Sequence, residues 1–166
     1  MKFMIQIHQV GQGFHMQIYK EPFKENNEAS YIVAASKSEI EAKFYELKEL
    51  MLTSYRSTAE LTKKRLANLE QLVWDSETKF DGLRVIKIVP DNDSWKTEIS
   101  EPVSNAQEGY AKFGGLPVDQ DHGERMFENI KRSISKRGAE FHEAANATLK
   151  NLERIKFVPN TYQARL

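Results

Sequence analysis

Alternating apolar and polar side chains dominate the first twenty residues of the chain. One break, at Gly11-Gln12-Gly13, interrupts the alternation, and a period of two on both sides of a glycine-containing pair predicts a β-hairpin. A two-residue turn at Gly11-Gln12 places His8 opposite His15 and gathers most apolar side chains on one face. The cross-strand apolar pairs are then Ile7 with Met16 and Ile5 with Ile18, flanked by Phe3 and Phe14.

A third strand and a long helix follow this hairpin. Tyr31–Ala35 is rich in β-branched and aromatic residues, which predicts a strand and completes a hairpin-and-strand segment over 1–37. Ser36 with Glu39, or Ser38 with Glu41, matches a capping box at the start of a helix. Apolar or tolerant residues then recur every ~3.7 residues, which predicts a helix over 38–76. They are Ile40, Phe44, Leu47, Met51, Tyr55, Ala59, Thr62, Leu66, Leu69 and Val73.

The pattern predicts a second hairpin over 82–100, after the turn signal Asp81-Gly82. Its first strand is Leu83–Val89, which we expect to end at Pro90, and its second is Trp95–Ile99. Residues 101–122 show little periodicity and contain several prolines and glycines. We therefore predict an irregular loop there, of a length that is often functional.

The last predicted element is a long helix over 123–157, followed by a tail over 158–166. Gly138 interrupts this helix, where it would allow a close helix crossing. The apolar stripe of the helix comprises Phe127, Ile130, Ile134, Phe141, Ala145, Leu149, Leu152 and Ile155.

Together these elements predict a single α+β domain over 1–166. An antiparallel sheet of about five short strands, from two hairpins and one strand, packs against two long helices that pair antiparallel. Each helix is longer than such a sheet is wide, and Leu66, Leu69 and Val73 then need a further cover. This favours a symmetric homodimer.

Composition removes several classes of protein. The 166 residues contain no cysteine, which excludes disulfides, thiolate metal sites and thiol catalysis. No apolar run approaches the ~20 residues of a membrane span, so no membrane partner is expected. The N-terminus alternates in polarity, unlike a signal peptide, and we expect a cytoplasmic location.

Charge is balanced overall, with 24 basic and 24 acidic residues, but it is unevenly distributed. Two clusters of basic residues lie on the predicted helices, where they could contact a polyanion or an acidic protein, or simply face solvent. Net neutrality disfavours a dedicated nucleic-acid binder. The clusters comprise Lys63, Lys64 and Arg65 on the first helix, and Arg125, Lys131, Arg132, Lys136 and Arg137 on the second.

Few residues suggest chemistry. Asp119, Asp121 and His122 cluster before the last helix, either as a carboxylate–histidine metal or acid–base site or, with Asp121 as the N-cap, as a helix start. Asp91 and Asp93 are weaker candidates for such a site. The sequence contains no nucleophile elbow, phosphate-binding loop, dinucleotide fingerprint or zinc-protease helix. We therefore predict no catalytic residue, no bound metal and no cofactor.

A resemblance adds a context. The order of hairpin, short strand and Ser/Glu-started helix with a tyrosine resembles the protein E family of the PRTRC genetic system of mobile elements. The residues concerned are Met4–Tyr19, Ser38-Glu39-Ile40-Glu41-Ala42-Lys43-Phe44 and Tyr55-Arg56-Ser57, less than half of the chain. That family has no established activity, so the resemblance implies an accessory protein of a plasmid or phage and no catalytic residue.

From these observations we expect a non-enzymatic protein–protein interaction or accessory protein that acts through its long helices and the 100–122 loop, with modulation of a host system as one role that it could serve. A nucleic-acid-associated protein that uses the basic helix clusters is the first alternative. A metal-assisted hydrolase at Asp119, Asp121 and His122 is the second.

Overall fold

The chain folds as two compact units in a computed structural model, which describes residues 1–24 and 30–160 and the backbone of 162–164. Unit 1 comprises Met1–Ala59 and Glu143–Leu166, and unit 2 comprises Glu60–His142. The α+β class is confirmed. The predicted single sheet is wrong, because the strands form two separate sheets, one in each unit. Residues 25–29, 161, 165 and 166, which belong to the predicted 1–37 and tail segments, lie outside the described residues.

Unit 1 contains the first hairpin and the third strand. Strands β1 (Phe3–Val10), β2 (Gly13–Lys20) and β3 (Ser30–Ala34) form an antiparallel sheet in the order β3-β1-β2. The predicted register is confirmed, with His8 opposite His15, and Gly11 has the positive φ of 62° that the turn needs. Part of the predicted tail instead forms a short parallel strand beside β2, Tyr162–Ala164.

The long helix α1 (Ile40–Gln71) covers this sheet with its first half, and α3 (Gly123–Arg154) contributes Leu152. Buried side chains from one face of the hairpin meet those of α1, as the two periodicities predicted. The main members of this core are Phe3, Ile5, Ile7, Ile18, Ile40, Phe44, Leu47, Met51 and Leu152.

Both long helices are shorter than predicted. A 3₁₀ turn (Lys37–Glu39) precedes α1, the Ser36 side chain makes no capping hydrogen bond, and the Glu39 carboxylate accepts the Ala35 N–H at 3.0 Å, so the predicted Ser36–Glu39 capping box does not form. At the other end, α1 stops at Gln71 instead of residue 76, and α3 stops at Arg154 instead of residue 157.

Unit 2 contains the second sheet, with β4 (Arg84–Asp91) between β5 (Ser94–Ile99) and β6 (Leu116–Val118). Contrary to prediction, β4 continues through Pro90, which pairs with Trp95. The proline is tolerated because Asp91 and Ser94 form the hydrogen-bonded pair that closes the hairpin, so the Pro90 nitrogen points away from β5. On that other side, β6 pairs only with Arg84–Ile86.

Different helices pack on the two faces of this sheet. Ile88 lies in a core with Leu69 of α1 and Phe127 of α3. Val85 faces the opposite way, toward helix α2 (Ala106–Phe113), where a Cβ on Gly109 would lie 2.6 Å from Val85 Cγ2. Within unit 2, α1 and α3 run antiparallel, as expected.

The segment 101–122 is more regular than the predicted loop. It contains α2 and β6, and α2 is capped at both ends. Asn105 Oδ1 accepts the Glu108 N–H at 2.8 Å, the Glu108 carboxylate accepts the Ser104 N–H at 2.7 Å, and Gly114 ends the helix with a φ of 70°.

Candidate functional site

An apolar groove lies between the helices of unit 2. Its volume is about 380 Å³, a size typical of binding sites. We call it the unit 2 groove. It is lined by Thr62, Arg65 and Leu66 of α1, by Trp95 of β5, and by Ile134, Arg137, Gly138 and Phe141 of α3.

Gly138 leaves room for a side chain of α1 in this groove. A Cβ at this position would lie only 2.4 Å from Leu66 Cδ2, so the Leu66 side chain occupies the space that another residue would fill. At Gly138 the neighbour is thus a side chain of α1, and no backbone atom of α1 lies within 3.8 Å of a Cβ at that position. Leu66, which is only half-buried, contributes to the groove.

Phe141 marks the exposed side of the groove. Phe127, Ile134 and Phe141 recur at seven-residue intervals, so they lie on one face of α3. Phe127 is completely buried, whereas Phe141 is 56% exposed. The apolar face of the helix therefore continues past the part of unit 2 that covers it.

The wall opposite α3 is held in place by hydrogen bonds. Trp95 Nε1 donates to the Arg65 carbonyl at 2.8 Å, and Arg65 Nε donates to the Asn92 carbonyl at 2.9 Å. Asn68 Nδ2 donates to the Asp93 carbonyl at 2.7 Å. These hydrogen bonds hold the β4–β5 turn against α1 and fix the Trp95 ring in the groove. Asp93, a weak candidate for chemistry in the sequence, contributes its backbone carbonyl to this contact.

Two arginines are the only charged side chains among the eight groove-lining residues, all of which lie in the described part of the chain. Arg137 donates to Ser133 Oγ at 3.0 Å, and Arg65 is held through Nε as above. Neither guanidinium forms an ion pair with a carboxylate of the described residues.

The predicted basic clusters separate into different roles. Lys131 Nζ donates to the carbonyls of Glu70 and Leu72, at 3.0 and 2.6 Å, and so caps the end of α1. The other cations outside the groove are exposed and form no ion pair with the described residues. They are Lys63 and Lys64 of α1, which follow each other and therefore point ~100° apart, and Arg125, Arg132 and Lys136 along the outer face of α3.

The candidate metal ligands Asp119, Asp121 and His122 lie in the turn that precedes α3. Asp119 Oδ1 accepts the His122 N–H at 3.0 Å and lies 2.5 Å from His122 Nδ1. The hydrogen bond from the His122 ring lowers the pKa of the exposed Asp119 carboxyl. The carboxylate at this turn is thus Asp119, where the sequence suggested Asp121. Among the described residues, no three His, Asp or Glu side chains form a group that could hold a metal ion.

Sequence reasoning missed the groove. It placed Phe141 in a buried stripe, Arg65 and Arg137 in basic clusters, and Trp95 only in a strand. The available signal was the seven-residue recurrence of Phe127, Ile134 and Phe141 beside Gly138, but such a recurrence does not report which of its members stays exposed.

No helix of the described chain has the length and apolar content to cross a membrane. Comparison with protein-family models, curated proteins and solved structures finds nothing that matches this chain.

Proposed function

We propose that this protein is a non-enzymatic interaction protein that binds a segment of another protein in the unit 2 groove. The observation that carries the proposal is the exposure of Phe141, which is 56% accessible although it continues the buried face of α3. Burying such a side chain contributes about 1.5–3 kcal/mol. The groove also contains Trp95, Arg65 and Arg137, and tryptophan and arginine are among the residue types that contribute most to protein interfaces.

The side chains of the groove favour binding over catalysis. Its titratable residues are Arg65 and Arg137. Arginine stays protonated at any ordinary pH, so this pair offers no group that exchanges protons with a substrate. It offers instead fixed positive charge beside an apolar surface.

The test is affinity capture from a host lysate with the full chain as bait, comparing Phe141→Asp with Tyr110→Asp. Tyr110 is a matched control because it is an aromatic residue of unit 2, 68% exposed, on α2, which covers the opposite face of the sheet. We expect a partner on the wild type and on Tyr110→Asp that is lost on Phe141→Asp. Equal recovery on both variants would place the interaction elsewhere. The resemblance to a mobile-element family makes a plasmid-bearing or phage-infected host the natural source.

Nucleic-acid binding is the second candidate, favoured by Arg125, Arg132 and Lys136. These exposed residues follow the outer face of α3 without an ion-pair partner among the described residues. A phosphate-binding role predicts duplex DNA or RNA affinity that falls steeply with salt. It also predicts weaker binding by Arg132→Gln than by the control Lys79→Gln. An absence of binding at about 50 mM salt would exclude it.

The homodimer also stays a proposal, on a narrower basis than the sequence suggested. Leu69 is buried within unit 2 and Leu66 is half-buried at the groove, whereas Val73 is 74% exposed. Sedimentation velocity of wild type and Val73→Glu tests it, since only a seam that includes Val73 would be weakened by the charge.

A further inference from the structure

We propose that the segment bound in the unit 2 groove is an acidic amphipathic helix, whose apolar side chains contact Phe141 and Trp95 and whose carboxylates contact Arg65 and Arg137. This inference rests on the proposed function and names the chemistry of the partner. It is carried by three features of the groove: its apolar surface, its two guanidinium groups and its helical walls.

The two guanidinium groups have capacity left for a carboxylate. Arg65 uses Nε for the Asn92 carbonyl, which leaves both of its terminal nitrogens. Arg137 uses one terminal nitrogen for Ser133 Oγ. Because the remaining N–H groups are arranged as a planar fork, each arginine can hold a carboxylate through paired hydrogen bonds.

The surrounding charge points the same way. The stretches 61–69 and 130–141, which supply the helical walls, contain one acidic residue, Glu140. Against it stand three basic residues in the first stretch and four in the second. Lys131 is occupied by the end of α1, but its charge still adds to the field. Arg132 and Lys136 lie on the outer face of α3 and add only to the general field. The attraction of a negatively charged segment to the groove itself therefore rests on Arg65 and Arg137.

The walls of the groove favour a helix as the bound segment. Seven of the eight lining residues come from α1 and α3, whose backbone groups are hydrogen-bonded within each helix. Such walls offer no free backbone row to an added strand, so recognition depends on side chains. A third helix that lays apolar residues at i, i+3 and i+7 into the groove meets this requirement.

The experiment is selection from a displayed library of random peptides of about 16 residues, long enough for four helical turns. The full-length protein is the target, and Phe141→Asp is the counter-target that removes peptides binding elsewhere. We expect the surviving pool to be acidic, with apolar residues at helical spacing.

Affinity of one selected peptide is then measured on arginine variants by fluorescence anisotropy. We expect Arg137→Gln to weaken binding about tenfold, as for loss of a charge-assisted pair. Arg125→Gln is the matched control, because it removes the same charge from the same helix outside the groove, and we expect less than about a twofold change there.

The outcomes separate the two proposals. A neutral or basic pool that still depends on Phe141, or equal affinity on Arg137→Gln and Arg125→Gln, overturns the acidic partner and leaves the groove as the binding site. A pool that survives no better on the wild type than on Phe141→Asp overturns both. Duplex DNA that displaces the selected peptide at equal charge concentration would assign the groove to a nucleic acid and also overturn the acidic helix.

Discussion

Phe127 and Phe141 lie on the same face of α3, but Phe127 is buried and Phe141 is largely exposed. Truncation of Phe127 should therefore cost much more stability than truncation of Phe141. Phe127 packs on the Trp74 ring at 5.6 Å in the unit 2 core. We expect Phe127→Ala to lower the free energy of unfolding by about 3–5 kcal/mol, and Phe141→Ala to change it by less than about 0.5 kcal/mol. Urea unfolding followed by tryptophan fluorescence measures this, because Trp74 and Trp95 both lie in unit 2. A large loss of unfolding free energy in Phe141→Ala would mean that Phe141 belongs to the core.

Lys131 and Lys136 belong to one basic cluster in the sequence, but within the described part of the chain only Lys131 of the two has a hydrogen-bond partner. Its ammonium group donates to two carbonyls at the end of α1, where a positive charge also complements the helix dipole. We expect Lys131→Met to cost about 1–2 kcal/mol of stability, since the aliphatic stem is kept and the charged hydrogen bonds are lost. Lys136→Met is the control, with a change below about 0.5 kcal/mol. Equal stability of the two variants in urea would remove this role from Lys131.

Each long helix ends where a lysine of the other long helix donates hydrogen bonds to its last carbonyl groups. Lys48 of α1 donates to the Glu153 and Ile155 carbonyls at the end of α3, at 2.7 and 3.0 Å, as Lys131 of α3 does at the end of α1. Neither end carries the glycine that usually signals a helix stop. The predicted helices were therefore too long because their caps come from a lysine far away in the sequence.

Helix α2 shows the opposite case, a local signal that was present and missed. Asn105 is an N-cap residue with a glutamate three residues later, and Gly114 follows the last turn, which together are the usual sequence signals of a helix start and a glycine stop. The helix was hidden because Gly109 and the nearby prolines resemble loop composition. Gly109 is buried against the sheet, and a larger residue there would clash with Val85, so its glycine serves packing and not a turn.

The cap of α2 makes its stability depend on acid. The hydrogen bond from Lys112, followed by that from the Ser104 N–H, lowers the pKa of Glu108 from 4.5 to about 2. Since the folded-state pKa lies below the unfolded one, the ionised Glu108 stabilises the fold above about pH 4.5, and this contribution is lost as pH falls toward 2. We expect Glu108→Gln to reduce unit 2 stability at pH 6 and to flatten its pH dependence between these values.

The matched control for this element is Glu77→Gln, which removes the same charge from an exposed residue of unit 2. Tryptophan fluorescence during urea unfolding at several pH values is the measurement. If the free energy of unfolding changes with pH in the same way in Glu108→Gln and Glu77→Gln between pH 4.5 and 2, the cap does not act through the ionisation of Glu108.

At the scale of the whole molecule, the sequence predicted elements well and assembly poorly. The first hairpin was predictable to the residue, because a one-residue slip would expose Ile5, Ile7 and Ile18. The division into two sheets was not predictable, because either hairpin has a period compatible with one shared sheet. The groove likewise depends on Leu66 and Gly138 meeting from two helices, which no local pattern reports.

The division of the chain leads to a last prediction. Unit 2 is one continuous segment, Glu60–His142, and it contains its own core around Leu69, Ile88 and Phe127. A segment with its own core and sheet meets the usual condition for independent folding. We therefore expect a fragment of residues 60–142 to unfold cooperatively in urea, although the cut helix ends cost some stability.

Because every residue of the unit 2 groove lies between 60 and 142, the fragment should also bind the peptides selected on the full chain. Affinity within about threefold of the full chain is the expected result, since a loss of ~0.6 kcal/mol corresponds to that factor. The Phe141→Asp fragment is the control for groove binding. A folded fragment that fails to bind would mean that the groove needs residues outside unit 2, whereas a fragment without a cooperative transition would mean that unit 2 depends on the rest of the chain for its stability.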